Sequence, residues 1–358
     1  MSNLKSIVIF LPSLGYGGAE ISLIRIANYL SSKNINVNLI IAKKIKNELS
    51  IIDESVNIIY LNSSKTVFSV FRLNNSINKI NPQVVISTLP TPNFLLALLK
   101  FLKLIDSKIV LREANSNFLN WNGSLRNYLN KKLAIFSFNN SDGNIFISNE
   151  LKKNIEGSIK NHENIVIYNP VLSETFYEKI NETVNDFKKT KELWVTASRI
   201  EHQKGLDIFF DSLEELLEVR NLEVLVLGGG SKLKEYKSKY SYLPITFLGN
   251  VSNPLKYLNI ADVFVFPSRR EGLGNSLIEA QILGLSIISS DCPSGPKEII
   301  DLFSNGNLFK SEDTADFKNV AKKIKIKRKQ NVSKQIIKLF SSDSVGERYL
   351  SFFEKIIS

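Results

Sequence analysis

The sequence predicts an α/β fold made of two doubly wound parallel sheets in tandem, and three observations predict it. Apolar runs of strand length recur along the chain with helical stretches between them. Those runs are nearly continuous in Val, Ile and Leu rather than alternating, as strands covered on both faces are. The rhythm stops once and restarts. At 358 residues the chain also exceeds the roughly 250–300 at which a single core stops growing.

The strands of the first half are expected at Ile7–Leu11, Val37–Ala42, Val56–Leu61, Val84–Thr88, Ile109–Leu111, Asn144–Ile147 and Ile165–Tyr168. A β-α-β-α order means parallel pairing through crossover helices. After Asn169-Pro170-Val171 the charged stretch Glu178–Glu192 reads as a linker. The second half then offers Leu193–Ala197, Leu222–Leu227, Ile245–Leu248, Val263–Phe266 and Ser286–Ser289. A lysine-rich helix is expected between Ala321 and Gln330, as a solvated face. The amphipathic stretch Val345–Ile357 is expected to close the chain by packing back on the first domain.

Composition narrows the chemistry. The chain is 43% hydrophobic and 23% charged, the balance of a folded globular protein. A single cysteine, Cys292, excludes a disulfide framework and any multi-cysteine zinc site, and two histidines, His162 and His202, exclude a His-rich metal centre. The first apolar run, broken by Pro12 and glycines, does not read as a signal peptide. No stretch reaches the roughly 18 apolar residues that span a bilayer, so a cytoplasmic chain, at most peripheral to a membrane, is expected. The net charge of +11 sits mostly in residues 1–180, with 20 Lys+Arg against 12 Asp+Glu, the rest having 26 against 23. That surplus suits an anionic partner; a lysine-rich composition throughout accounts for it equally well.

In open α/β sheets, ligands bind beyond the carboxyl ends of the strands. Three loops there carry unusual residues. Gly15-Tyr16-Gly17-Gly18-Ala19-Glu20 follows the first strand and opens a helix, where glycines let backbone amides approach a phosphate. A nicotinamide dinucleotide fingerprint would need its third glycine at Glu20, and the second strand ends at Ala42-Lys43-Lys44 without the ribose-holding acid. A plain tight turn is the competing reading. Ser198–Gly205 places Arg199 and Lys204 five residues apart at a strand end, a fork and a point charge able to converge on one diphosphate. Ser268–Ala280 sets Glu271 and Glu279 on either side of a glycine-rich turn and a helix start, which suits a ligand that is part anion and part polyol. Ser276-x-x-Glu279 would also make a capping box and use its glutamate locally.

With these residues the sequence resembles the retaining glycosyltransferases of family 4. The resemblance rests on Glu271-x7-Glu279 within Glu-Gly-Leu-Gly-Asn-Ser-Leu-Ile-Glu-Ala, on Ser198-Arg199 with Lys204-Gly205, and on Gly17-Gly18-Ala19-Glu20. Gly228-Gly229-Gly230 and Phe247–Val251 are similar to the segments that cradle the nucleotide base, and Cys292–Glu298 resembles members building bacterial surface polysaccharides or lipid-linked oligosaccharides. The resemblance implies the GT-B fold: two doubly wound Rossmann-like domains facing each other across a cleft. Residues 1–175, with a terminal helix at about 343–358, would form the acceptor-side domain, and residues 176–342 the nucleotide-sugar domain.

By the same resemblance Arg199 and Lys204 neutralise the leaving diphosphate, Glu271 holds hydroxyls of the donor sugar, and Glu279 those of the ribose. Gly17, Gly18, Asn275 and Ser276 offer backbone donors to the phosphates, the turn Gly272-Leu273-Gly274 binds the donor with them, and Leu277 packs beside the ribose. Gly229, Gly249, Asn250 and Val251 meet the base. Many members carry a first-domain histidine near the reacting centre; here that loop reads Arg112-Glu113-Ala114-Asn115, which leaves Arg112 and Asn115 as the acceptor-side polar groups.

The activity implied is retaining transfer from a nucleotide-sugar, a UDP-sugar by resemblance, to a glycan or polyprenyl-diphosphate-linked acceptor. No Asp-x-Asp occurs, so neither a metal nor another cofactor is expected. A GT-B epimerase, which needs acid/base groups at the sugar, and a non-catalytic nucleotide-sugar-binding module are the alternatives; nucleic-acid binding is not expected. Phe94–Ile105, with Lys100 and Lys103, and Phe118–Phe138, with Trp121, Arg126, Tyr128, Lys131, Lys132 and Phe136, suggest contact with an anionic membrane surface on its cytoplasmic face. Crossover-helix packing is the competing reading, and the stronger one for Phe94–Ile105.

Overall fold

Seven parallel strands build the first sheet: β1 (Ser6–Ser13), β2 (Asn36–Lys43), β3 (Asn57–Tyr60), β4 (Val84–Thr88), β5 (Lys108–Glu113), β6 (Gly143–Phe146) and β7 (Glu163–Val166), in the order β3-β2-β1-β4-β5-β6-β7. Six parallel strands build the second: β8 (Glu192–Ala197), β9 (Leu222–Leu227), β10 (Ile245–Gly249), β11 (Val263–Phe266), β12 (Ser286–Ser290) and β13 (Asn307–Phe309), in the order β10-β9-β8-β11-β12-β13. This computed structural model describes residues 2–15, 17–44, 51–114, 125–160, 163–326 and 332–358. Asn115, Trp121, His162 and residues 327–330 of the expected lysine-rich helix lie outside them.

Two compact units result, Met1–Val171 with Leu339–Ser358, and Leu172–Lys338. In the first, the five consecutive residues Ile7–Leu11 are all fully buried, which is what an unbroken apolar strand between two helical layers requires. The closing helix Ser342–Ile357 lies on helix Gly18–Ser32 through Val345, Tyr349 and Phe353. Gly346 allows it to sit there, since a Cβ at that position would meet the Tyr29 ring at 2.2 Å. In the second unit the core is aromatic: Trp194 stacks on Phe209 at 6.0 Å, and Phe317 meets Phe209 at 5.6 Å and Phe309 at 5.1 Å.

Three expectations need correction. Glu178–Glu192 is not merely a linker, because helix Phe176–Ile180 reaches into it and the segment is pinned. Asn253 donates to the Lys179 carbonyl at 2.7 Å, and the Tyr257 hydroxyl donates to the Asp186 carboxylate at 2.7 Å. The lysine-rich helix is Thr314–Lys323, started by the Asp313 side chain accepting from the Asp316 amide at 2.9 Å, so it stops where the lysine run was expected to continue. The edge strand β13 had no counterpart among the expected runs; three residues, Asn-Leu-Phe, carry too little apolar signal.

In each sheet the strand order reverses once, between β1 and β4 and between β8 and β11. Loops leaving those strand pairs diverge and open a crevice for ligands. The loops after β8 and β11 hold Arg199, Lys204 and Glu271.

Candidate functional site

The loop after β8 turns through the short 3-10 helix His202–Lys204 and ends on Gly205 at φ 63°. A side chain there is excluded on two counts: the backbone is left-handed, and a Cβ would lie 2.0 Å from the Pro267 carbonyl oxygen. The loop therefore lies flat on the one that follows β11. Four contacts join them. The Arg269 amide donates to the Gln203 carbonyl at 2.9 Å, and Gln203 Nε2 donates to the Arg270 carbonyl at 2.9 Å. Arg269 donates to the His202 carbonyl at 2.8 Å and forks onto both oxygens of Asp207 at 2.8 and 2.7 Å.

That seam delivers the Lys204 ammonium to Glu271. The two form an ion pair whose side chains are only 14% and 10% exposed, and the Ser268 hydroxyl donates to the same carboxylate oxygen at 2.8 Å. From behind, the Ser294 hydroxyl donates to the Glu271 carbonyl at 2.5 Å. Gly295, at φ 82°, closes the contact, since a Cβ there would meet the Gly272 carbonyl oxygen at 2.5 Å. A buried charge is tolerated only when paired and hydrogen-bonded; here both conditions are met.

Electrostatics follow the same geometry. Burial pushes the Asp207 carboxyl up, but the two Arg269 hydrogen bonds and the guanidinium charge outweigh it and hold it below its usual value. Burial drives the Cys292 thiol up to about 12, the Ser290 hydrogen bond opposing it and the Glu271 charge adding to it. Glu201 accepts from the Ser231 amide at 2.8 Å and from its hydroxyl at 2.5 Å; those bonds, with Arg199 nearby, lower its carboxyl.

Most of the expected site residues of the second unit are gathered here. Arg199 is exposed, in the same loop as Lys204. The Gly229 amide donates to Asn250 Oδ1 at 2.7 Å, and the Gly228 amide to the Gly249 carbonyl at 2.7 Å, so the loops after β9 and β10 form one ledge that runs on into Val251. Gly272, Leu273 and Gly274 lead into helix Asn275–Ile282, capped by Gly274 at φ 85°. The cap is a glycine and Ser276 is already helical, so the capping box does not form and Glu279 stands half-buried one turn in. A helix offers no carbonyl to its own first amides, so the Asn275–Ser276 end favours an anion.

Two expectations fail on burial. The Leu277 side chain is fully buried, so it packs in the protein interior rather than beside a ribose; the Leu273 side chain is buried too, which leaves that turn residue only its backbone to offer a donor. Arg112 is 0% exposed: it donates to Thr88 Oγ1 at 3.0 Å and Asn169 Oδ1 at 2.6 Å and hydrogen-bonds Tyr349, and so ties strands to the closing helix instead of facing an acceptor. Asn115 lies outside the described residues. Gly17 and Gly18 belong to the first unit, at the end of β1, where the Glu20 carboxylate leans over Gly17. Arg269, Asp207, Gln203, Ser268 and Ser294 are the residues that sequence reading missed.

Residues 177–338 match the family model described as glycosyl transferases group 1, and residues 9–149 the one described as glycosyl transferase 4-like. The chain belongs to this glycosyltransferase family. An uncharacterized glycosyltransferase of Methanocaldococcus jannaschii is 31% identical over 214 residues, 54% of this chain and 53% of that protein. The chain thus spans about half the length of that relative. The capsular polysaccharide biosynthesis glycosyltransferase CapH of Staphylococcus aureus is 25% identical over 287 residues, 78% of each chain. A crystal structure of a glycosyltransferase from Rickettsia africae superposes with a TM-score of 0.74 at 19% identity, over 99% of both chains. This likeness gives the fold, two Rossmann-like domains of the GT-B type.

Proposed function

We propose that this protein transfers a sugar from a nucleotide-sugar, a UDP-sugar, to a glycan or lipid-linked acceptor in the assembly of a cell-surface polysaccharide, with retention at the sugar carbon. The observation that carries the reading is the Lys204–Glu271 pair, fixed by Ser268 at the reversal point of the second sheet and flanked by Arg199 and a glycine-led helix start. A cation beside a carboxylate meets the two halves of such a donor: phosphate oxygens on Lys204 and Arg199, sugar hydroxyls on Glu271, ribose hydroxyls on Glu279. The bond from the sugar carbon to the diphosphate oxygen breaks, and the acceptor oxygen bonds that carbon on the same face. The acceptor's proton passes to the departing phosphate oxygen.

The protein supplies positioning and positive charge rather than a covalent partner. Glu271, already engaged by Lys204 and Ser268, suits holding hydroxyls better than attacking carbon. Lys204, Arg199 and the helix amides take the place of a bridging metal. The acceptor is reached at an anionic membrane surface on the cytoplasmic face. The test is a panel of nucleotide-sugars scored by thermal stabilisation and then by transfer. Lys204→Ala and Arg199→Ala should fold and lose roughly 10²–10³ in turnover, and excess chelator should leave wild-type turnover unchanged. Near-wild-type transfer by either folded variant rejects the reading.

A further inference from the structure

The second unit has a cavity at the edge of its sheet opposite the Lys204–Glu271 pair. Two of its lining residues, Ser286 and Asn307, open β12 and β13, whereas Lys204 and Glu271 follow the ends of β8 and β11 in the same parallel sheet. Strand β12 alone spans about 15 Å between those edges. The cavity measures about 240 Å³, and the charged residues in its wall, among the described residues, are Lys323 and Lys325. Local structure explains why both reach it. Helix Thr314–Lys323 ends there, and Ile324 takes an extended backbone at φ −59° and ψ 129°. Residues two apart in an extended segment share a face, so the two lysines fall on one side while Ile324, 4% exposed, enters the core.

The helix sorts its lysines. Lys318 and Lys322 both pair with Glu215. Lys323 and Lys325 pair with no carboxylate among the described residues. Arg220 donates to the Ile324 carbonyl, which offsets the negative end of the helix. Backbone donors add to the lysines: Asn305 and Gly306 also line the cavity, and neither amide donates to a described residue. An unpaired amide on a residue only 9% exposed, as Asn305 is, costs free energy unless a ligand or water accepts from it. The Asn305 side-chain amide is committed elsewhere, to Gln281 Oε1 at 2.9 Å and the Leu285 carbonyl at 3.0 Å. Gly306 has φ 133°, and a Cβ there would meet Ile300 at 2.4 Å, so that position admits no side chain. The stretch that supplies the two lysines is wholly cationic: residues 318–338 hold nine Lys and Arg and no Asp or Glu. Two ammonium groups and two amides, with no carboxylate in the wall, match a compact anion that has several oxygens.

We propose that this cavity is a second anion site, which takes the phosphate group of a small molecule. The proposal stands apart from the transferase reading. Inorganic phosphate and glucose 1-phosphate are titrated calorimetrically into the full chain saturated with UDP, which keeps them off Lys204 and Arg199. A single equivalent of at least one of them should bind. Inorganic phosphate binding as well as the ester assigns the free ion; binding of the ester alone assigns a phosphorylated metabolite. Each lysine contact contributes about tenfold, so Lys323→Gln with Lys325→Gln should weaken the ligand by about tenfold or more. Lys318→Gln with Lys322→Gln removes the same charge from the same segment and should change it by less than about threefold. All four side chains lie at the surface, so both double variants should keep the wild-type circular dichroism. Equal losses in the two variants would mean that net charge, not this cavity, attracts the anion, and would overturn the proposal. No binding of either ligand to the UDP-saturated chain overturns it too. Failure of UDP itself to bind would count against the donor reading instead, and the contrast between the two lysine pairs would still decide this site.

Discussion

Replacing Arg269 by Met tests whether the seam between the loops after β8 and β11 positions Lys204 on Glu271. The guanidinium makes a bidentate pair with Asp207 and a third bond to the His202 carbonyl, with side-chain exposures of 13% for Arg269 and 25% for Asp207. Removing one partner of a fully buried pair costs about 3–5 kcal/mol, and the remaining exposure of Asp207 lowers that to about 2–4 kcal/mol. For a unit the size of Leu172–Lys338 this is a fall of roughly 4–16 °C in melting temperature. Urea titrations of wild type, Arg269→Met, Asp207→Asn and the double variant, read by Trp194 fluorescence, should give a coupling of about 1–3 kcal/mol. The pH dependence has a definite sign. The folded Asp207 carboxyl lies below its usual value, so the pair's contribution is complete above the unfolded value near ~3.9. It is lost as pH falls through the lower folded value. In Arg269→Met burial still raises the Asp207 carboxyl, opposed only by a backbone hydrogen bond and the His202 charge, so the deficit should persist at neutral pH and shrink as acid protonates the carboxylate. A coupling under about 0.5 kcal/mol, or a deficit that does not change with acid, refutes the reasoning.

Other outcomes follow from the same loops. Glu271→Gln frees Lys204 for a diphosphate, so UDP alone should bind at least as tightly by calorimetry while turnover falls by roughly 10²–10³; weaker UDP binding would count against it. Gly205→Ala forces a Cβ onto the Pro267 carbonyl at a left-handed φ and should cost about 1–3 kcal/mol in urea unfolding, with turnover falling as well. An unchanged midpoint would mean the loops are not in contact. Cys292, its thiol raised to about 12 by burial, should resist iodoacetamide near pH 8 until the chain unfolds; rapid labelling of the native protein would contradict its placement.

The sheets were legible because each strand carries its own evidence. A run such as Ile7–Leu11 or Val263–Phe266 is apolar at every position, and only burial on both faces makes that favourable. Where the signal is not local, reading fails. Three residues at the sheet edge are too few to show a pattern, so β13 was missed. The Glu178–Glu192 stretch is polar in sequence, and the bonds from Asn253 and Tyr257 that pin it come from about 70 residues away. Arg112 shows the same limit in reverse. Its place at a strand end was visible, but a side chain there can face either the crevice or the core, and Thr88 and Asn169 decide for the core.

Within the second unit's site, types and spacing named the charged residues, while their supports stayed hidden. Lys204 and Glu271 are 67 residues apart, and nothing local indicates that they touch. The reason they do lies in residues that carry no reactive chemistry: a glycine too close to a carbonyl for any side chain, an amide exchanged through Gln203, an arginine turned away from the site toward Asp207. Such groups take up the cost of alignment during folding, so a ligand meets charges already in place. The arrangement also sets a competition. Under the proposed function, phosphate oxygens would displace the carboxylate from Lys204, and the released Glu271 would accept hydroxyls. Ligand halves of opposite character would thus engage the pair together, phosphate on one side and sugar on the other. A free phosphate, or a free sugar, would separate the pair while compensating only one of its charges.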